Sequence, residues 1–154
     1  MPEQKRVHMK ITSPAFANNG RIPEKYTCDM ESLIPPLEFV DVPSQAQSLV
    51  LIMDDPDAPS GTFVHWVVYN INPKVVKVEE GKVPEGGIQG ATNAGTQEYV
   101  GPCPPSGTHR YFFKLYALNK QLELPQGITK QQVLEKMQDS VIAQAQLLGL
   151  YSRK

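Results

Sequence analysis

The feature that most constrains this chain is the continuous apolar run Ser48 to Met53 (SLVLIM), ended abruptly by Asp54-Asp55-Pro56. Such a run reads as a strand buried on both faces and stopped by a turn. Thr62 to Ile71 (TFVHWVVYNI) and His109 to Asn119 (HRYFFKLYALN) are longer and rich in aromatic and β-branched residues, so both read as strands. Arg6 to Thr12 alternates polar and apolar residues, Leu37 to Val40 is short and apolar, and Lys74 to Val78 is a weaker edge candidate. Between Glu79 and Thr108 seven glycines and several prolines break any period of 2 or 3.6, which reads as a long loop. Thr129 to Gly149 is expected to be an amphipathic helix. Thr129 and Gln132 match a capping box, Val133, Met137, Val141 and Leu148 stripe one face, and Gly149 suits a C-terminal stop.

At 154 residues the chain fits one domain, residues 1–154, mainly β with a C-terminal helix. Fifteen Lys and Arg stand against sixteen Asp and Glu, a net charge of −1, so no global positive field draws in nucleic acid or an anionic membrane. No apolar run reaches the roughly 20 residues of a membrane span, and the first residues lack a signal-peptide apolar stretch, so the expected address is the cytoplasm. The two cysteines, Cys28 and Cys103, lack metal-type spacing and are expected to be free thiols. Fourteen prolines predict long, stiff connections between strands.

Side chains alternate across a strand, which puts Phe63, His65, Val67 and Tyr69 on one face and Val64, Trp66 and Val68 on the other. By the same rule His109, Tyr111, Phe113 and Leu115 share a face opposed by Arg110, Phe112 and Lys114. The segment Asp55-Pro56-Asp57-Ala58-Pro59 delivers two carboxylates into a proline-stiffened turn, where they can orient a histidine or be paired by Arg110. Singly, each of these residues is read more economically as turn or core. Their joint occurrence at strand ends, in a chain with three histidines, points to a site. The remaining histidine, His8, reads as surface.

Three ordered segments carry a family resemblance: Asp55-Pro56-Asp57-Ala58-Pro59, His65-Trp66-Val67-Val68-Tyr69-Asn70-Ile71, and Tyr99 to Tyr111 (YVGPCPPSGTHRY). Together with Ile34-Pro35-Pro36-Leu37-Glu38-Phe39 they resemble the phosphatidylethanolamine-binding protein family, its short prokaryotic branch above all, over about Phe16 to Ala117. The resemblance implies a β-sandwich with a large central antiparallel sheet, a smaller second sheet and peripheral helices. It also implies a small pocket at one end that holds phosphate, a carboxylate or a phosphoethanolamine headgroup. Residue by residue it assigns Asp55, Asp57, His65, His109 and Tyr111 to anion binding. It places Pro59, Gly101, Cys103 and Pro104 at the rim, Cys103 standing where many relatives have glycine. Arg110, on the opposite face, is expected in a structural ion pair with an Asp of the turn.

The reading that follows is a non-catalytic binding protein for a small phosphorylated or carboxylated ligand, with a kinase or protease as the target class that relatives suggest. No cofactor, metal, nucleic acid or integral membrane association is expected. The rival is a hydrolase or metal-dependent enzyme using the same groups, with Ser60 or Ser106 as nucleophile or His65, His109 and Asp57 as ligands. Against it, neither serine sits in a GxSxG elbow and no HExxH spacing occurs. A third reading is an interaction scaffold with a vestigial pocket, a homodimer through an exposed sheet face.

Overall fold

The computed structural model describes residues 8–153. In chain order the elements are β1 (Lys10–Thr12), β2 (Gly20–Arg21), a 3-10 turn (Glu24–Tyr26), β3 (Leu37–Val40), β4 (Ser48–Asp55), β5 (Phe63–Ile71), β6 (Lys77–Val78), β7 (Ile88–Gln89), β8 (His109–Leu118), α1 (Lys130–Met137) and β9 (Val141–Tyr151). They form a six-stranded sheet in the order β2-β9-β8-β4-β5-β7 and a three-stranded sheet in the order β1-β3-β6. The large sheet is antiparallel except for the short β2–β9 pair, which is parallel. The mainly β architecture with two sheets and a helix near the C-terminus is the one expected from the sequence.

All eight residues of β4 are buried, and they feed two separate cores. Leu49, Leu51 and Met53 point into the larger core, where Ile11, Leu37, Phe39 and Val78 arrive from the small sheet. Val50 and Ile52 point the other way, against Val133 and Met137 of α1. The unbroken apolar run is explained by this geometry, because alternation shows only where one face meets water. The edge strands β2 and β7 are two residues long, which leaves little free backbone for edge-to-edge pairing. Of the strand expected over Arg6 to Thr12, the structure shows Lys10–Thr12, while Arg6 and Val7 lie outside the described residues.

The expected helix over Thr129 to Gly149 is corrected. It starts as predicted, with Thr129 Oγ1 accepting from the Gln132 N–H at 3.2 Å and the Gln132 side chain accepting from the Thr129 N–H at 3.0 Å. It ends at Met137, and Val141–Tyr151 is instead the longest strand of the protein, paired along β8 from Leu118 to His109. The sequence VIAQAQLLGLY satisfies both periods, and the free edge of β8 decides between them. As a strand it carries Ala143, Ala145, Leu147 and Tyr151 to the larger core. Gly149 is therefore no helix stop. It lies opposite Tyr111 in the ladder, and a Cβ there would come within 2.5 Å of Ile22 Cγ1 and 2.9 Å of Phe16 Cε2.

This close approach yields a test. Gly149→Ala should destabilise the protein by about 1–3 kcal/mol through overpacking against Ile22 and Phe16, read as a lower urea midpoint. Unchanged stability would mean that Ile22 and Phe16 yield to the added methyl at no cost.

Candidate functional site

β4 ends in two adjacent acids that alternation sends to opposite faces. Asp54 turns toward the helix side, where its Oδ2 accepts from Lys130 Nζ at 2.7 Å and Lys114 Nζ at 3.2 Å. Asp55 turns toward the larger core and accepts on Oδ2 from His109 Nδ1 at 2.6 Å. Its Oδ1 accepts from the Asp57 backbone N–H at 2.8 Å, the local bond by which an Asp shapes its own turn. Asp57 in turn accepts from the Arg110 backbone N–H and Nε on Oδ2 and from Arg110 Nη2 on Oδ1, all at 2.9 Å. These bonds to Arg110 hold the Asp57 carboxyl below the usual carboxylate range. Sequence reasoning placed Asp57 among the ligand groups. The structure commits its carboxylate to Arg110 and leaves it out of the cavity lining.

The position of His65 also departs from simple alternation. Met53 lies opposite Trp66 while Asp54 lies opposite Val64, so β5 carries one extra residue, His65, at a bulge. Past the bulge the faces exchange. Trp66 and Val68 enter the larger core, and Val67 and Tyr69 enter the helix-side core. His65 thus shares a side with Trp66 and Val68, not with Val67 and Tyr69, and its ring meets Tyr111 edge-on at 5.3 Å between centroids. His65 Nδ1 donates to the Val100 carbonyl at 2.7 Å, while the Val100 N–H donates to the His65 carbonyl at 3.0 Å. The long glycine- and proline-rich connection is in this way pinned over the end of the sheet.

The result is a cavity of about 150 Å³ lined by Asp55, Ala58, Pro59, Phe63, His65, Val100, Gly101, Cys103, Pro104, Pro105, His109 and Tyr111. Of the residues singled out from the sequence, Asp55, His65, His109, Tyr111, Pro59, Gly101, Cys103 and Pro104 meet here. Ala58, Phe63, Val100 and Pro105 were missed, since apolar residues and backbone carry no chemical signal before folding. Ser60 and Ser106 do not line the cavity. Among the described residues no three His, Cys, Asp or Glu side chains come together as a metal set.

Each imidazole uses Nδ1 as a donor, to a carbonyl for His65 and to a carboxylate for His109, so in the neutral rings Nε2 carries the lone pair. Burial pushes the His65 pKa below its ordinary value of 6.5, against the smaller opposing effect of the Val100 bond. Burial also raises the Tyr111 phenol, which stays a neutral O–H donor at any ordinary pH.

The expectation of free thiols is overturned. Cys28 and Cys103 form a disulfide across a sequence separation of 75 residues. Nothing in their spacing could announce it, because the two sulfurs meet only when the loop after the 3-10 turn and the cavity wall pack together. Gly101 is part of that packing. A Cβ there would lie 2.6 Å from Ser32 Oγ and 2.9 Å from the Tyr26 carbonyl oxygen. A loop of this length closed in the unfolded chain corresponds to about 4 kcal/mol of chain entropy.

Two measurements follow. The Cys28→Ser/Cys103→Ser double variant should lose about 2–4 kcal/mol of unfolding free energy, whereas unchanged stability would mean the bond adds nothing to the fold. For His65 the folded-state pKa lies below that of the unfolded chain, so the unfolded chain takes up the proton first. The contribution of His65 to stability is therefore present at neutral pH and is lost progressively as pH falls below its unfolded value of 6.5 toward the lower folded-state value. In anion-free buffer the urea midpoint should drop over that range, and His65→Phe should flatten the drop. An undiminished slope in His65→Phe would assign it to another group.

A family model for the phosphatidylethanolamine-binding protein matches residues 12–152. The chain is 51% identical over 150 residues to a UPF0098 protein of Methanothermobacter thermautotrophicus, covering 94% of this chain and 99% of that one. It is 48% identical over 152 residues to a UPF0098 protein of Aquifex aeolicus, covering 94% and 89%. Among solved structures it superimposes on a phosphatidylethanolamine-binding protein homologue of Chlamydia trachomatis with a TM-score of 0.92 and 44% identity, over 96% of this chain and 99% of that one. With YbcL of E. coli, described as a new member of the mammalian family, the TM-score is 0.88 at 26% identity, over 96% and 100%. With the family model spanning nearly the whole chain and the fold shared with these structures, the protein belongs to the phosphatidylethanolamine-binding protein family.

Proposed function

We propose that this protein is a non-catalytic binding protein for a small phosphorylated or carboxylated ligand, held in the cavity between His65, His109 and Tyr111. One observation carries the reading. Two imidazoles with their Nδ1 protons already committed, and a neutral phenol, converge on one small cavity at the end of the sheet. Once Nε2 is protonated, each ring becomes a charged donor suited to a phosphate or carboxylate oxygen. Asp55 has the role of orienting His109 rather than touching the ligand, since an anion and a carboxylate repel. Arg110 and Asp57 hold the turn that places Asp55. In the hydrolase reading a serine would have to attack from outside the cavity, because neither Ser60 nor Ser106 lines it. A kinase or protease target, a second copy of the chain and a cytoplasmic address belong to this same reading as its biological setting. Among the described residues no helix is long and apolar enough to cross a membrane.

Binding then takes up protons at Nε2, so affinity falls as pH rises through the imidazole range. Acetate, whose own charge is constant between about pH 6 and pH 8, separates this effect from the ionisation of phosphate, and each proton taken up is worth up to about tenfold in affinity per pH unit. Calorimetric titration with acetate, inorganic phosphate and O-phosphoethanolamine should show tighter binding at the acidic end. Tyr111→Phe should weaken it about 2- to 10-fold through the lost hydrogen bond, with no turnover of aryl esters or phosphates. Affinity that is flat or rises toward alkaline pH would sink the reading, and measurable turnover would favour the enzyme.

A further inference from the structure

Cys103 lines the cavity, and Gly101, Pro104 and Pro105 line it on either side of Cys103 in the chain. Cys28 and Cys103 are both exposed residues, which places the bond at the surface and not in the core, and exchange with a thiolate requires such access. The wall is held very differently on the two sides of Cys103. Toward the N-terminus the Cys28 N–H donates to the Pro102 carbonyl at 3.1 Å, Val100 is bonded both ways to His65, and the Tyr99 hydroxyl donates to the Tyr26 carbonyl at 2.8 Å. Toward the C-terminus Pro104 and Pro105 have no N–H to give, and among the described residues no hydrogen bond anchors 103–108 before His109 enters β8. Between Pro102 and His109 the wall is thus tied covalently by the disulfide and otherwise held by the packing of buried Pro104.

We propose that Cys28–Cys103 is a thiol–disulfide exchange site whose reduction frees this wall and lowers the affinity of the cavity for anions. The proposal rests on the anion-binding reading above. The reactant is a dithiol. Its thiolate attacks one sulfur of the Cys28–Cys103 bond, that bond breaks, and the other cysteine sulfur leaves as a thiolate and is protonated. The second thiol of the reductant attacks the mixed disulfide and releases the second cysteine. Two electrons and two protons pass from the dithiol to Cys28 and Cys103, and the reductant departs as a disulfide. The anion site weakens because a wall that was ordered in advance must now be ordered at the moment of binding. By reciprocity an anion in the cavity makes the disulfide harder to reduce, by the same factor.

The experiment follows the imidazole NMR signals of His65 and His109 during titration with inorganic phosphate. It is run on the oxidised protein, on the protein reduced with dithiothreitol, and on the Cys28→Ser/Cys103→Ser variant, with near-UV circular dichroism as the check on packing. The expected result is binding by the oxidised protein, affinity lower by about tenfold after reduction with the near-UV signal retained, and a double variant that matches the reduced protein. Equal affinities in the oxidised and reduced states overturn the switch and leave the anion site standing. An oxidised protein that does not bind phosphate removes the anion site and the switch together. Loss of the near-UV signal on reduction makes the bond a fastening of the whole fold and overturns the proposal of a local one.

Discussion

The structure depends on one strand having no face toward water. β4 is buried along its whole length, which requires a layer on each side: the small sheet over Leu49, Leu51 and Met53, and α1 over Val50 and Ile52. Its end inherits the same two-sidedness. Two successive acids cannot both face one core, so Asp54 goes to Lys114 and Lys130 on the helix side while Asp55 goes to His109 on the other. The paired charges anchor α1 to the sheet and, one residue later, orient the histidine of the site. Buried carboxylates are tolerable only when paired in this way.

The site itself is assembled from departures from regularity. A bulge at His65 brings the ring to the face occupied by Tyr111, a proline-bounded turn lets Asp57 take Arg110 while Asp55 takes His109, and a long connection without regular structure closes the cavity from above. Regular ladder pairing supplies the frame, and the interruptions aim the side chains. The disulfide adds a covalent tie where prolines remove the backbone donors that would otherwise fasten the wall. Its presence also bears on location, since exposed disulfides in reducing compartments are usually transient or regulatory, while in oxidising ones they persist as structure.

Much of the fold is legible in the sequence alone. The central strand, the two long aromatic strands, the start of α1 and the gathering of Asp55, His65, His109 and Tyr111 follow from local composition, period and the matched family motifs. The errors share a cause. The segment Val141 to Tyr151 satisfies a helical stripe as well as a strand alternation, and a local pattern cannot register the vacant edge of β8 that captures it. The assignment of His65 to the face of Val67 and Tyr69 assumed an unbroken ladder, and a bulge is a property of two paired strands.

The sequence by itself determined that the segments of β4, β5 and β8 would be strands and which polar groups were available for chemistry, because these are set by neighbours a few residues apart. Only the tertiary structure decided that Val141 to Tyr151 extends rather than coils, that Asp57 belongs to Arg110 and Asp55 to His109, and that Cys28 meets Cys103 across 75 residues. Each of those outcomes is a choice among partners distant along the chain. Such choices are made by register, bulges and packing, which exist only once the sheet has closed.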